Sequence, residues 1–413
     1  PEAASALSDL ARSPTARTVQ RVHAAWAIGM IARRDASVAS LLVPLMSDAD
    51  VQLRIQSVRT LGDLRFAAPE AYMTALEDAD ARVRYEACLA LGKIGHRAAI
   101  GRLLEVLDAE GDRDVAMRHG ASYGLAMMGD ADRIADDATS RGVAARVGAV
   151  VALRRLESDR VIGFLSDASD RVVIEAARAC YDQYRGLEDL AALLEGPFPG
   201  ALGTEPFLRR VIEANVLVGT SEACERLARF ATRSDVDGSW NQLALSRIDG
   251  WDEPLKREGV WGNWVDLDAR DPEVARQAFL ASAPALMTHP NEAVRTAAET
   301  IRISMIDVSL AMVTRQVGDP TFDAAYRVAL LEQGASRFEF SLEAICDAAL
   351  ADDGDVPDVR LRALEMLATV SPVRAVEETM ARVRRGSMAE RQACVRLLAT
   401  IPGGDEAMAG LVD

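Results

Sequence analysis

Side chains with catalytic or metal-binding chemistry are few in this sequence, and they lie far apart. The histidines occupy four separate positions, His23, His96, His119 and His289. None of them has the HxH or HExxH spacing of a zinc site. His289 and Glu292 lie three residues apart, but the Pro-Asn pair between them indicates a turn that begins a helix. The sequence also lacks a P-loop, a GxSxG elbow and a dinucleotide-binding glycine motif, so we predict no catalytic residue, no metal site and no cofactor.

The cysteines do not form a recognisable redox or haem-binding motif. All five lie in apolar stretches of helical character, at Cys88, Cys180, Cys224, Cys346 and Cys394. None belongs to a CxxC pair or a CxxCH haem-attachment motif. We therefore predict buried free thiols. A reducing compartment would suit them, but the thiols alone do not fix the location.

Pairs of aspartates precede several of the apolar stretches and could either bind calcium or begin helices. The pairs are Asp48 and Asp50, Asp78 and Asp80, Asp112 and Asp114, and Asp167 and Asp170. Their spacing is not that of an EF-hand. Because an aspartate at a helix start accepts hydrogen bonds from the free N–H groups of the first turn, we interpret these residues as helix caps.

These residues belong to a sequence repeat that predicts the elements holding them. Segments 21–29, 54–62 and 84–92 align almost residue for residue, and each begins with arginine and ends with glycine. The leading arginines are 33 and 30 residues apart. Looser copies occur at 118–126, 146–154, 173–181, 293–301, 359–368 and 391–399.

The repeat indicates stacked helical hairpins. Two helices per roughly 30–34 residues, joined by a short polar turn, are typical of HEAT and armadillo repeats. We therefore predict an all-α fold, an α-solenoid of HEAT-like helical hairpins that forms a right-handed superhelix. Arg54, Arg84 and Arg118 each follow a turn aspartate by four residues, so each guanidinium could pair with a carboxylate of its own or the adjacent repeat.

The repeat also predicts which side chains face outwards. Counted from the repeat arginine, positions +3, +4 and +7 should face the core, and positions +2 and +5 should lie on another side of the second helix. Stacking would align the latter into columns along the concave surface, which solenoids commonly use for binding. The candidate partner-binding column consists of His23, Trp26, Gln56, Arg59, Glu86, Leu89, Tyr123 and Arg178. Such aromatic and arginine side chains resemble interface anchors, although Trp26 and Tyr123 could instead fill gaps between repeats.

Two stretches interrupt the helical pattern. The first, 196–203, is rich in proline and glycine, which excludes a continuous helix. The second, 234–271, contains four of the five tryptophans, Trp240, Trp251, Trp261 and Trp264. This insert could dock a partner, but we favour packing onto neighbouring helices, since an irregular loop has no core of its own. We divide the chain into an N-terminal repeat array at 1–195, the breaks with a helical pair at 196–271, and C-terminal repeats at 272–413.

Charge and hydropathy limit the classes of partner. The chain is acidic, with 47 Lys and Arg against 63 Asp and Glu, a formal charge of −16 and a pI of about 4.9. Arginines are scattered through acidic surroundings, and no basic strip is visible, so we predict no nucleic-acid partner. No apolar run is long enough for membrane insertion. The chain opens at Pro1 without an initiator methionine, which suggests a processed product or a fragment.

Several segments carry a more specific resemblance. Segments 21–29, 171–179 and 209–220, with the Trp-Asp-Glu-Pro stretch at 251–254, resemble the HEAT region of large exported dehydrogenase-like proteins of planctomycetes and verrucomicrobia. In that family a sugar-dehydrogenase-like β-propeller precedes the HEAT region, and a c-type cytochrome domain follows it. The resemblance covers residues 15–270 and rests on the Asn215 and Trp251 segments, which generic HEAT repeats lack.

The resemblance implies a role beside redox modules without carrying redox chemistry itself. This chain departs from the family in having neither propeller strands nor a CxxCH motif. The family likeness implies a spacer or docking scaffold in a periplasmic or exported protein, with a cytochrome or propeller dehydrogenase module as partner. The residues themselves leave a cytoplasmic location open.

Two functional hypotheses follow. The first is a non-catalytic protein–protein interaction scaffold, which we favour. The second is an enzyme built on a solenoid, of the bilin-lyase or DNA-glycosylase type, to which the likeness is architectural only. A glycosylase should show a basic concave face and measurable DNA affinity, and a lyase should bind a bilin.

Overall fold

The computed structural model describes residues 2–305, 310–338, 341–351 and 357–410. In these ranges the chain forms α-helices and 3-10 helices joined by turns and by a longer irregular stretch at 250–271, where Arg257 and Trp264 form an isolated antiparallel bridge. Within each of the two compact units given below, neighbouring helices pair into hairpins, and the hairpins stack in chain order. The chain is therefore an all-α solenoid, and the predicted fold class is confirmed.

Contacts between residues divide the chain into two compact units. Unit 1 contains Pro1–Arg226 and Leu255–Leu267, and unit 2 contains Leu227–Pro254 and Asp268–Asp413. The α-helices of unit 1 are α1 (Glu2–Arg12), α2 (Thr18–Ala32), α3 (Val51–Asp63), α4 (Pro69–Ala75), α5 (Ala81–Lys93), α6 (Ile100–Glu110), α7 (Val115–Met128), α8 (Ala131–Ala138), α9 (Val143–Arg155), α10 (Asp170–Asp182), α11 (Leu187–Ala192) and α12 (Glu205–Val218). Its 3-10 helices are Ala36–Ser47, Arg97–Ala99, Asp159–Ser166, Leu193–Glu195 and Gly200–Gly203. Helix α13 (Ser221–Ala231) begins in unit 1 and ends in unit 2.

These units differ from the limits drawn from sequence at 1–195, 196–271 and 272–413. The Pro/Gly break at 196–203 lies inside unit 1, because α12 packs against α10 and α11 across it. The tryptophan-rich stretch 234–271 is divided, with Leu255–Leu267 in unit 1 and its flanks in unit 2.

Unit 1 has two layers of helices. The second helices of the hairpins pack side by side in the order α2, α3, α5, α7, α9, α10 and α12, and we call them the second-helix layer. The first helices each pack against their own second helix, and they are α1, Ala36–Ser47, α4, α6, α8, Asp159–Ser166 and α11. Repeat positions +3, +4 and +7 are buried as predicted, for example Ala87, Cys88 and Leu91 in α5.

Aspartates begin several second helices. Asp50, Asp80 and Asp114 accept hydrogen bonds from backbone N–H groups two residues on, at 2.8, 2.9 and 2.8 Å. Each thereby satisfies a donor that the helix itself leaves free, and the capping prediction is confirmed at these positions. Asp112 has a different role, because it pairs with Arg171 at 2.6 Å.

Arginines link each hairpin to the next. The Arg54 guanidinium donates to both Asp78 oxygens at 2.7 and 3.0 Å and to the Asp48 carbonyl at 2.9 Å. Arg84 pairs in the same manner with Glu110 at 3.0 and 2.6 Å. Arg118 departs from the prediction, since its guanidinium donates to the Gly111 carbonyl oxygen at 2.9 Å. With Asp112 engaged by Arg171, the turn ahead of Arg118 supplies a backbone oxygen in place of a carboxylate.

The glycine that ends each repeat motif lets neighbouring second helices approach closely. A Cβ on Gly92 would lie 2.7 Å from the Gly124 carbonyl oxygen and 2.8 Å from its Cα. A Cβ on Gly29 would lie 2.5 Å from Thr60 Cγ2. Because real Cβ contacts are longer, the stacking distance in this layer depends on glycine.

Unit 2 continues the arrangement of packed hairpins. Its α-helices are α14 (Gly238–Asp249), α15 (Pro272–Met287), α16 (Glu292–Met305), α17 (Leu310–Val317), α18 (Ala324–Arg337), α19 (Leu342–Leu350), α20 (Pro357–Val370), α21 (Pro372–Arg385), α22 (Met388–Leu398) and α23 (Gly404–Ala409). Leu331, Ile345 and Leu364 lie in its buried core. Arg360 and Glu390 form a buried ion pair at 2.9 Å, which links α20 to α22.

Candidate functional site

The predicted partner-binding column lies on the second-helix layer of unit 1. His23, Trp26, Arg59 and Tyr123 are exposed. The remaining members are partly buried: Gln56, Glu86, Leu89 and Arg178. The column therefore lies along the open side of the helices whose opposite side forms the core. We call this surface the second-helix face.

Trp26 is held rigidly although much of it is open to solvent. Its indole Nε1 donates to Gln56 Oε1 on the next second helix at 2.9 Å. The His23 ring stacks on the indole with centroids 5.1 Å apart. The residue keeps 45% of its surface exposed. A fixed and exposed indole can bind without first losing rotamer freedom.

A cleft opens beside Trp26. It has a volume of about 220 Å³ and a mixed lining, in which Met30 and Leu64 lie with the charged side chains Arg33 and Asp63. Met30 is 71% exposed and adds apolar surface beside the indole. This volume suits one apolar side chain of a partner, since it is below the size of typical small-molecule pockets.

Tyr123 repeats the arrangement further along the layer. His119 stacks on the Tyr123 ring with centroids 5.8 Å apart and an interplanar angle of 10°. The Arg155 guanidinium lies 5.0 Å from the ring centroid, which is a cation–π geometry. Tyr123 retains 37% exposure. Both aromatic members of the column are thus supported by neighbouring side chains and remain open.

A charged network closes the α10 end of the face. Arg154 lies 3.5 Å from Glu175 and 3.6 Å from Asp182. Arg178 pairs with Glu175 at 3.3 Å. Arg210 of α12 is almost fully buried, and burial lowers the pKa of its guanidinium. Arg210 Nε lies 3.9 Å from Asp182, which links the network to α12.

The segment Leu255–Leu267 is attached to this end of unit 1 by a buried carboxylate. Glu258 accepts a hydrogen bond from the Tyr181 hydroxyl at 2.7 Å and one each from the backbone N–H groups of Val260, Trp261 and Asn263 at 2.8 Å. Burial acts to raise the pKa of Glu258, but these hydrogen bonds outweigh it and hold the pKa below its usual value. Tyr181 is buried, and burial together with the adjacent carboxylate raises its pKa.

The tryptophans of the insert have different surroundings. Trp251 is buried in unit 2, with the Arg270 guanidinium 4.4 Å from its ring centroid. Trp240 on α14 is partly buried. Trp261 donates from Nε1 to Asp182 at 2.8 Å, yet it is 58% exposed. Trp264 is 65% exposed. Trp251 therefore has the surroundings of a packing residue, whereas Trp261 and Trp264 extend the open aromatic surface of unit 1.

His289 and the five cysteines contribute to packing and hydrogen bonding inside the fold. His289 lies in a turn, where its Nδ1 accepts from the Asn291 N–H at 3.1 Å and its Nε2 lies 3.0 Å from the Arg233 carbonyl oxygen. The five cysteines are free and buried, as predicted, and burial raises the pKa of Cys88 and of Cys180 to about 12. Within the described ranges, no group of three or more His, Cys, Asp or Glu side chains is placed to hold a metal ion. No helix among the described residues is both long and apolar enough to cross a membrane.

The comparison with protein families agrees with these hairpins. Residues 69–136, which run from α4 into α8, match the family model described as HEAT repeats. These residues are therefore similar to HEAT repeats. The same hairpin geometry on either side shows that the HEAT-like architecture extends beyond the matched range. The chain has no match among the curated proteins.

Solved structures with a similar fold belong to several different proteins. Kap95p in its complex with RanGDP is 13% identical, with 100% of this chain and 69% of that chain covered and a TM-score of 0.37. A structure of the cadherin–β-catenin interaction is 14% identical, with 97% and 99% covered and a TM-score of 0.33. The CpcE–CpcF complex of phycocyanin lyase from Nostoc sp. is 22% identical, with 60% and 94% covered and a TM-score of 0.27.

Several contributors to the site lie outside the predicted column. Met30 and Arg155 both occupy repeat position +9, which is four residues after +5 and seven after +2. Helical periodicity therefore places them on the same side as the column, and it is the signal that could have identified them. Glu258 lies 77 residues from Tyr181 along the chain. The glycine at 262, with φ of +70°, marks a tight turn near Glu258, and it is the signal that could have drawn attention to this segment.

Proposed function

We propose that this chain is a non-catalytic scaffold that binds a protein partner on the second-helix face of unit 1. The observation that carries the proposal is Trp26, whose indole is fixed by Gln56 and His23 while nearly half of its surface stays open. A side chain held in this way resembles the aromatic anchors that dominate protein interfaces.

The rest of the face supports the same function. Tyr123 is a second supported aromatic ring, and the exposed Trp261 lies at the α10 end, where it donates to Asp182. Aromatic side chains are enriched at protein interfaces relative to the rest of the protein surface. The arginine links and close helix contacts keep the anchors at fixed spacings, so little conformational entropy is lost on binding.

A narrower proposal concerns the identity of the partner. The resemblance of residues 15–270 to the HEAT region of exported dehydrogenase-like proteins supports a cytochrome or propeller dehydrogenase module, and a role outside the cytoplasm. This part rests on the resemblance alone. The scaffold function stands independently of it.

Capture from an extract of the source organism tests both proposals. The bait is the full chain, cross-linked after capture, and the variant is Trp26→Ala. The matched control is Leu10→Ala on α1, which removes an exposed apolar side chain from the first-helix layer. We expect Trp26→Ala to lower partner affinity about thirtyfold, as loss of a central anchor does, and Leu10→Ala to leave it unchanged.

The possible outcomes separate the two proposals. Cross-links from the second-helix face to a cytochrome or propeller protein would support both. A different protein, captured in a Trp26-dependent manner, would retain the scaffold and remove the redox partner. Capture that is equal for all three baits, with thermal midpoints unchanged, would refute a binding role for this face.

A further inference from the structure

Charge is distributed unequally between the two helix layers of unit 1. Five second helices each contain at least one arginine, and together they contain two acidic residues, Asp63 and Glu86. These helices are α2, α3, α5, α7 and α9. The first helices have the opposite composition: α8 contains Asp132, Asp136 and Asp137. Although the whole chain has a net negative charge, basic side chains therefore outnumber acidic ones in these second helices.

Part of this positive charge is available to a partner. Arg21, Arg54, Arg84 and Arg146 are engaged by carboxylates in the links between hairpins. Among the described residues, Arg59 and Arg155 form no ion pair, although the charge of Arg59 acts on the Glu86 carboxyl, and both are exposed on the second-helix face. An exposed guanidinium without a carboxylate partner can form a bidentate pair with an incoming carboxylate.

Apolar anchors alternate with these cations. Trp26 and Met30 lie on α2 beside the cleft of about 220 Å³, and Arg59 follows on α3. Leu89 lies on α5, and Tyr123 on α7 is covered on one side by Arg155 of α9. A face of this composition favours a ligand that combines apolar side chains with negative charge.

We infer that the second-helix face from α2 to α9 binds an acidic polypeptide segment that places an apolar side chain in the cleft beside Trp26 and carboxylates on Arg59 and Arg155. This inference rests on the proposed function and specifies the partner's chemistry. Packed helix axes lie about 8–10 Å apart, so the four steps from α2 to α9 span roughly 32–40 Å. An extended chain covers about 3.3 Å per residue, which sets the segment at roughly ten to twelve residues.

A protein segment fits this face better than a nucleic acid does. Nucleic-acid affinity depends on how many phosphates are neutralised, and Arg21, Arg54, Arg84 and Arg146 are already paired with carboxylates of the chain. Lys93 is engaged by Asp63 at 2.6 Å. The cleft and the exposed aromatic rings provide apolar contacts that side chains of a peptide can use.

The test is selection from a displayed library of random twelve-residue peptides on the immobilised full chain. Selected peptides are then synthesised with a fluorescent label, and their affinities are measured at 50 and 300 mM salt. The charge-reversal variant is the double substitution Arg59→Glu and Arg155→Glu. The matched control is Arg12→Glu, an exposed arginine at the end of α1 in the first-helix layer.

We expect the selected peptides to be rich in Asp and Glu around one large apolar residue. The double variant should weaken their binding at least tenfold, Arg12→Glu should not, and high salt should weaken binding to the wild type. Trp26→Ala should also lower the affinity of the same peptides for the chain. Circular dichroism of each variant checks that the fold is retained.

The remaining outcomes distinguish the two proposals. Selection of neutral or basic peptides whose affinity falls in Trp26→Ala but not in the double variant would refute the acidic segment as the ligand. The binding role of the second-helix face would stand. Peptides that do not depend on Trp26 would overturn both. A twelve-nucleotide single-stranded DNA that displaces the selected peptides and binds more tightly than they do would overturn the protein partner in favour of a nucleic acid.

Discussion

Replacing Glu258 by glutamine should release the segment Leu255–Leu267 from unit 1. One carboxylate oxygen accepts from the Trp261 and Asn263 N–H groups, and the other accepts from the Tyr181 hydroxyl and the Val260 N–H group. An amide replaces one of these oxygens by an NH2 group. The favoured orientation places the NH2 group towards Tyr181, because that hydroxyl can turn and accept, so only the Val260 N–H faces a donor. The Trp261 and Asn263 N–H groups keep an acceptor, but it is now neutral. Hydrogen bonds contribute about 1.5–3 kcal/mol each with a charged acceptor and about 0.5–1.5 with a neutral one, so one lost bond and two weakened bonds amount to roughly 3–5 kcal/mol.

Local relaxation reduces this figure, and we expect a loss of about 3 kcal/mol in the free energy that holds the segment in place. Since about 1.4 kcal/mol corresponds to a factor of ten, the open population of the segment should rise about a hundredfold. Hydrogen exchange followed by mass spectrometry measures this directly, because the amides of 260–263 exchange only when the segment opens. Glu253→Gln makes the same chemical change at an exposed position nearby and should leave the exchange rate unaltered.

The pH dependence has a definite sign. The pKa of Glu258 is held below its usual value of 4.5 by its hydrogen bonds, so the ionised form favours the attached segment. This contribution is complete above pH 4.5 and is lost as the pH falls through the lower pKa of the folded state. If exchange of 260–263 in Glu258→Gln stays within threefold of the wild type at pH 7, the carboxylate does not hold the segment and the reasoning fails.

Three further predictions concern the packing of the layers. Gly92→Ala should lower the free energy of unfolding by about 1–3 kcal/mol, and with it the thermal midpoint, because the new Cβ would meet the Gly124 backbone. Gly163→Ala is the control and should leave the midpoint unchanged, since a Cβ at that position would have no atom within 4 Å. Burial raises the pKa of Glu86 despite Arg59 and Lys93, so ionised Glu86 costs stability at neutral pH. Glu86→Gln should therefore raise the midpoint at pH 7, and the difference should shrink as the pH falls; equal midpoints at pH 7 would contradict the burial argument. The five thiols should resist a disulfide reagent at pH 8 in the native protein and all react in denaturant, since they are buried, and rapid native labelling would show otherwise.

The repeat spacing was sufficient to predict the fold, because each hairpin repeats a local pattern. Apolar positions at helical spacing fix which side is buried, and aspartates at helix starts fix where second helices begin. Arg54 pairs with Asp78 in the adjacent hairpin, as the four-residue offset suggested. Arg84 instead pairs with Glu110, because the end of α6 supplies a carboxylate at the position that a turn aspartate occupies elsewhere.

The site was harder to predict, because it depends on contacts between residues distant in sequence. The linear sequence shows arginines scattered among acidic residues and suggests no basic strip. Stacking separates them, since acidic residues concentrate on first helices such as α8 while Arg59 and Arg155 share the other layer. The hydrogen bond between Glu258 and Tyr181 could not be predicted from a periodic pattern either. It joins an irregular segment to a helical residue 77 positions earlier in the chain.

The contacts between neighbouring second helices also affect how strongly the second-helix face can bind a partner. Trp26 owes its fixed orientation to Gln56 on the neighbouring helix, and the distance between those helices depends on Gly29 against Thr60. An anchor fixed before binding avoids the rotamer entropy that a mobile side chain loses, about 0.5–1.5 kcal/mol each. Affinity for a partner is therefore set partly by helix spacing and not only by the residues that touch the partner. It follows that a bulkier residue at 29 should weaken binding even though its side chain would point towards α3.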